Sequence, residues 1–190
     1  GYLQVMKRMK VLLGAEPQII AHDLHTGYLS TQWAIKQPAE RIPIQHHHAH
    51  MAACIAEHDL KQDVIGIIYD GTGMGTDGAI WGGEFLVGSK GKFSRAGHWK
   101  YVTLQGGDSA IKEPWKSAAS YLYAMGINSE ELLNSGDIVD SVNSINSLKV
   151  KVIQSAIKNN INCFKSSSLG RLFDCVSALV TKRMHITYDA

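Results

Sequence analysis

No stretch of the sequence approaches the roughly 18 consecutive apolar residues a membrane helix needs, so a helical membrane protein is excluded. The opening residues GYLQVMKRMK have neither the apolar core nor the cleavage site of a secretory leader, and a cytoplasmic chain is expected. Cysteine is scarce: Cys54, Cys163 and Cys175 are three in number, far apart and never in a C-x-x-C pair. A disulfide scaffold and a cysteine zinc site are thereby set aside, and the surroundings of all three read as apolar and helical. Charge of one sign is scarce too. Nineteen Lys and Arg face 17 Asp and Glu, for a net charge of +2 and a pI near 8.4. That surplus is too thin to argue for nucleic acid or an anionic membrane as partner.

What remains is a chain of 190 residues, 45% of them hydrophobic, large enough for one or two domains with a buried core. Its informative residues are unevenly spread. Four of the nine His fall within residues 46 to 50, and six of the 18 Gly fall between 71 and 83.

Apolar spacing predicts a helix over Tyr2 to Leu13, stopped by Gly14. Pro17 to Ala21 reads as a short buried strand, and His22 to Thr31 as a polar loop beyond its end. Ile42 to Gln45 is a second strand, followed by an Ala-rich helix over His48 to Leu60, with the histidine cluster at the junction. Val64 to Tyr69 is almost wholly apolar, which predicts a central strand covered on both faces. Gly71 to Gly78 is expected to be irregular, and Ala79 to Gly88 returns to a strand, giving a β-loop-β unit. Phe93 to Leu104 reads as extended, Pro114 to Met125 as a helix stopped by Gly126, and the Asn- and Ser-rich residues 129 to 161 as weakly patterned helices. Ser168 is expected to cap a last helix, Leu169 to Lys182, with Leu172, Val176 and Leu179 on one face.

The sharpest chemical feature is His46-His47-His48-Ala49-His50. His46 and His50 stand i and i+4, so on a helix their imidazoles can converge on one metal ion. The bland alternative is a pair of packing or surface residues. A zinc-peptidase reading fails because the H-E-x-x-H motif needs Glu where this chain has His47, and a neutral imidazole does not replace the carboxylate base. Asp70-Gly71-Thr72-Gly73-Met74-Gly75-Thr76-Asp77-Gly78 follows the apolar strand, and its glycines could let backbone N–H groups approach a phosphate. It has neither the G-K-[ST] of a P-loop nor a following helix, and a plain turn is the competing reading. Asp70, at a strand end, is a candidate metal ligand. Asp77 could satisfy loop N–H groups, and Gly82 and Gly83 suggest a bulge or the close approach of another backbone or a ligand. Glu84 reads as solvent-facing. Gly170 and Asp174, four apart on the last helix, offer a gap and a carboxylate for a ribose, against the alternatives of a weak helix start and a solvated acid.

Five segments together carry a resemblance: DLHTGYLST at 23 to 31, IQHHHAH at 44 to 50, IIYDGTGMGTDGAIWGGEF at 67 to 85, QGGDSAIKEPWKSAA at 105 to 119 and SSSLGRLFDCVSAL at 166 to 179. In this order they resemble the hydrogenase-maturation carbamoyltransferases of the HypF family and, more distantly, O-carbamoyltransferases and the enzymes of tRNA threonylcarbamoyladenosine synthesis. The resemblance implies a mixed α/β fold of the actin-like ATPase type. Residues 1–190 would then be part of the carbamoyltransferase domain, β-rich over about 15–105 and mainly helical over about 108–190. It implies a divalent metal, Fe or Zn, on His46, His50 and Asp70. It implies that Asp70, Gly71, Thr72, Gly73 and Gly75 face the phosphate or carbamoyl end of a carbamoyl-adenylate, and that Gly170 and Asp174 hold its ribose.

In that family carbamoyl phosphate and ATP yield carbamoyl-adenylate in another domain, and the carbamoyl group passes to a cysteine thiolate of the partner HypE. The product is a precursor of the cyanide ligands of [NiFe]-hydrogenase. Thr26 stands where the family pattern has Pro. The resemblance also implies an internal piece of a longer protein, lacking the acylphosphatase, zinc-finger and adenylate-forming parts and a further metal-binding Asp. A competing expectation is a catalytically silent module that binds a partner or forms a homodimer.

Overall fold

In the computed structural model of the chain, residues 1–107, 110, 112–129 and 147–187 are described. Among them are six helices and seven strands in a mixed α/β arrangement, divided into two units, Gly1–Gln45 and His46–Ala190.

In the first unit, helix α1 (Tyr2–Leu13) ends on Gly14, whose φ of 57° is the left-handed conformation that glycine adopts without steric cost. Strand β1 (Ile19–Asp23) pairs in parallel with β2 (Glu40–Ile44), and helix α2 (Leu29–Ile35) lies between them in sequence. Two expectations change here. The first strand is not buried, since Ile19 is 55% exposed and a two-stranded sheet offers little to cover it. The loop predicted over 22 to 31 is shorter, because β1 runs to Asp23 and α2 starts at Leu29. Seven residues are too few for a helical period to stand out in sequence.

The second unit opens with α3 (His46–Glu57), two residues earlier than predicted, so the whole histidine cluster lies in its first two turns. Strands β3 (Val64–Met74) and β4 (Ile80–Gly88) form an antiparallel hairpin. Strand β5 (Phe93–His98) pairs with Glu84 to Gly88 of β4, while β7 (Cys163–Ser166) meets β4 in parallel at Ile80 and pairs antiparallel with β6 (Val102–Gln105). The sheet order β3-β4-β7-β6 puts β3 at an edge, not at the centre. Its residues alternate: Ile68 packs with Met51, Ile55, Trp81 and Leu86, whereas Ile65, Ile67 and Tyr69 are exposed. An apolar run alone could not distinguish the two cases, since both faces of an edge strand can be apolar while only one is covered. The glycine-rich stretch holds strand structure as far as Met74, with a register shift between Tyr69 and Gly73 in place of the expected irregular loop.

Helices α4 (Pro114–Ala124), α5 (Ser147–Lys158) and α6 (Leu169–Thr181) share a second core of Trp115, Ala118, Leu122, Val150, Ile153, Cys175 and Ala178. Of the helices expected over 129 to 161, α5 is present, and residues 130–146 lie outside the described residues. Ser168 caps α6 by accepting the Arg171 N–H at 3.1 Å. The buried face of α6 is Asp174, Cys175 and Ala178, with Val176 half-exposed, because the helix packs chiefly against α4. Cys163 lies on strand β7, not on a helix, and all three cysteines are free thiols.

Candidate metal centre

The first turns of α3 and the end of the regular part of β3 meet at one point. His46 and His50 lie one helical turn apart, with their Nε2 atoms 3.2 Å from each other. The Asp70 Oδ2 atom stands 3.0 Å from His46 Nε2 and 3.6 Å from His50 Nε2. Among the described residues these three form a group whose donor atoms all lie within 4.8 Å of one another. The Asp70 Oδ2 atom is buried and accepts no hydrogen bond, although Oδ1 takes the Gly71 N–H at 2.6 Å. A buried carboxylate oxygen left open beside two imidazole nitrogens is a donor set that fits a divalent cation, and three protein ligands leave positions for water or substrate.

His47 has a different place. It is fully buried, its ring 6.0 Å from that of Trp81, and its Nε2 is 3.7 Å from Asp70 Oδ2. Burial pushes its pKa down to about 4, against the pull of Asp70 upward and with the help of His46, so the ring is neutral at pH 7. The missing side chains of Gly73 and Gly75 make room for these rings. A Cβ on Gly73 would stand 2.5 Å from His47 Cε1, and one on Gly75 only 2.1 Å from Trp81 Nε1. The Gly75 N–H donates to the Ala79 carbonyl, so this residue closes the hairpin. Gly71 and Thr72 sit nearer Asp70, where the register shifts, and a Cβ on Gly71 would meet nothing within 4 Å.

The N-terminus of α6 approaches the same strand. A Cβ on Gly170 would lie 2.8 Å from Gly71 Cα. Asp174 is not a solvated acid: it is 3% exposed and its Oδ2 lies 2.8 Å from Arg171 Nη1. Gly170 and the Asp70–Gly71 segment are thus brought together, with Asp174 one turn further along α6.

Sequence reasoning missed the buried polar network behind the hairpin. Glu84, expected in solvent, is fully buried. Its Oε1 accepts from the N–H groups of Gly82 at 3.1 Å and Gly83 at 3.2 Å and from the Ser167 hydroxyl. Its Oε2 accepts from Arg95 Nε at 2.6 Å. The Arg95 guanidinium lies 3.9 Å from the centre of the Trp81 ring, and Nη1 reaches Asp77 at 3.1 Å and Tyr101 at 2.7 Å. Asp77 also accepts from Tyr101, Trp81 Nε1 and the Ala79 N–H. Partial burial alone would raise its pKa, but these donors and Arg95 outweigh it and hold the carboxyl down at about 2. The same setting raises Tyr101 to about 12, chiefly by burial. No local signal could have revealed the network, since Glu84 and Arg95 become diagonal neighbours only when β5 pairs with β4.

A mixed α/β domain with this topology falls into a known class. Residues 1–57 match the family model described as the HypF Kae1-like domain, and residues 66–190 match the carbamoyltransferase, Kae1-like domain, second subdomain. The class is therefore that of Kae1-like domains. Within it, the chain belongs to the HypF family. It is 36% identical over 191 residues to carbamoyltransferase HypF2 of Cupriavidus necator, covering 98% of this chain and 23% of that protein. It is 32% identical over 198 residues to carbamoyltransferase HypF of a Synechocystis species, covering all of this chain and 26% of the relative. Among solved structures, full-length HypF in a phosphate- and nucleotide-bound form superposes with a TM-score of 0.87 at 39% identity, over 99% of this chain and 24% of that one. The HypF of T. kodakarensis gives a TM-score of 0.76 at 32% identity, over 90% of this chain and 23% of that one. The chain thus spans about a quarter of the length of these relatives. Among the described residues no helix is long and apolar enough to cross a membrane.

Proposed function

We propose that this chain carries part of a carbamoyl-transfer site. Its substrate is a carbamoyl-adenylate made from carbamoyl phosphate and ATP, and the acceptor is the C-terminal cysteine thiolate of HypE, in the synthesis of the cyanide ligands of [NiFe]-hydrogenase. The observation that carries this reading is the convergence of His46, His50 and Asp70 beside the Gly71 backbone and the start of α6. The curated relatives bear the name carbamoyltransferase, and a full-length relative was crystallised with phosphate and nucleotide, which supports a nucleotide-facing role for this region.

In this reading His46, His50 and Asp70 hold the cation, Fe²⁺ or Zn²⁺, which when bound supplies Lewis acidity toward the negative oxygens of the adenylate. Thr72 and Gly73 present backbone to the phosphate end, Gly71 lines it with its N–H and carbonyl held by Asp70 and Ser168, and Gly75 shapes the hairpin beneath. Gly170, whose missing side chain lets the start of α6 close against Gly71, faces the ribose with its backbone, and Asp174 accepts from the ribose hydroxyls. The attacking sulfur comes from the partner: it bonds to the carbonyl carbon, the carbon–oxygen bond to the phosphate breaks, and AMP leaves. The chain's own groups orient the acyl carbon, and none is needed as a nucleophile. His47, neutral and buried, fixes the orientation of α3 against the hairpin.

Calorimetric titration with Zn²⁺ or Fe²⁺, alone and with ATP or a carbamoyl-adenylate analogue, tests this. Wild-type protein should bind one cation, and His46→Ala or His50→Ala should abolish stoichiometric binding with an almost unchanged circular dichroism spectrum. Unchanged metal content in both variants rejects the ligand assignment. A second reading, a silent self-associating module, is favoured by the exposed row Ile65, Ile67 and Tyr69 on β3. A dimer in native mass spectrometry, with no cation or nucleotide bound, would support it.

A further inference from the structure

Asp70 owes its position to something other than the strand ladder. The pairing of β3 with β4 breaks between Tyr69 and Gly73, so Asp70, Gly71 and Thr72 have no partner in register. Ser168 takes up the slack. This side chain is 1% exposed; its hydroxyl donates to the Gly71 carbonyl at 2.7 Å and lies 3.3 Å from the Asp70 carbonyl. The same oxygen accepts the Arg171 N–H as the cap of α6. Capping requires only the acceptor half of a hydroxyl. The donor half reaches across to another element, and α6 has no need of it.

Three further contacts make this seam stiff. A Cβ on Gly82 would stand 2.4 Å from the Asp70 carbonyl oxygen and 2.9 Å from Ser168 Cα, so the three backbones are in direct contact. The Ser168 N–H donates to Ser166 Oγ at 3.0 Å, and the neighbouring Ser167 hydroxyl is tied to Glu84. Gly71 is held at both ends: its N–H binds the Asp70 carboxylate and its carbonyl binds Ser168. Rotation of Gly71 would swing the Asp70 side chain, and Gly71 has no side chain of its own to resist.

We propose that Ser168 is a positioning residue for Asp70, holding the turn after it so that Oδ2 stays within reach of His46 and His50. The role rests on the cation reading given above. It acts through the backbone of Gly71, and the hydroxyl itself does not touch the ion.

The test is a zinc competition titration against a chromophoric chelator, run on the full chain alongside thermal melts. Ser168→Gly removes the hydroxyl while leaving a tolerable helix cap, and should weaken zinc binding about 10-fold, at the low end for groups that orient a metal ligand. Ser168→Thr, which keeps the hydroxyl, should restore most of the affinity. Val150→Ala, in the helical core, is the reference for mere destabilisation: it should lower the melting temperature and leave zinc affinity within about twofold of wild type. If Ser168→Gly binds zinc as wild type does while Asp70→Asn does not, the positioning role is overturned and the cation site stands. If Asp70→Asn also binds as wild type does, or wild type does not bind at all, both fall together.

Discussion

Arg95→Met would test the network behind the site most directly. Arg95 pairs with Glu84, which has no exposed surface, at 2.6 Å, and its own side chain is 16% exposed. Methionine keeps much of the stem's packing and removes the charge. Stranding one member of a buried ion pair costs about 3–5 kcal/mol. Glu84 keeps three donors, from Gly82, Gly83 and Ser167, which puts the cost near the lower end. The guanidinium also covers the Trp81 ring at 3.9 Å, a contact of about 0.5–2 kcal/mol. The sum is about 4 kcal/mol, a large part of the stability of an ordinary domain. At roughly 2–4 °C per kcal/mol for a chain of this size, the melting temperature should fall by about 8–16 °C. Urea denaturation followed by circular dichroism measures the free energy. Adding Glu84→Gln to Arg95→Met removes the stranded charge, so the double variant should be more stable than Arg95→Met alone. A single variant within about 0.5 kcal/mol of wild type, or a double variant whose loss equals the sum of the two singles, would refute the reasoning.

Three further outcomes are expected. Gly75→Ala drives a Cβ into the buried Trp81 ring and should cost about 1–3 kcal/mol, while Gly71→Ala meets open space and should be nearly neutral; equal losses in urea titrations would contradict this. Asp77 has its folded pKa depressed to about 2 from 3.8, so its contribution is present above about pH 4 and lost as pH falls toward 2. Its side chain is 42% exposed, which keeps the effect below about 1 kcal/mol, and Asp77→Asn should flatten the stability profile in that window alone. In a thiol titration Cys54, exposed, should react first. Cys175, whose pKa burial raises to about 11 with Asp174 adding to it, should react only on unfolding.

The sequence by itself determined what depends on neighbours a few positions away. The 3.6-residue period puts His46 and His50 on one face wherever α3 lies. Gly14 ends α1, and Ser168 caps α6, because capping is settled within one turn. The five matching segments pointed to the family. The edge position of β3, the burial of Glu84 and Asp174, and the buried face of α6 were decided only by the tertiary structure. Each depends on which distant segment arrives alongside. The approach of Asp70 to His46 and His50 belongs to both: α3 aligns the two imidazoles through local geometry, and the carboxylate reaches them only because β3 packs against that helix. Hydrogen-bonded periods act over a few residues and can be read in order along a chain. Burial is set by contacts between segments remote in sequence, and no local pattern encodes which of them will meet.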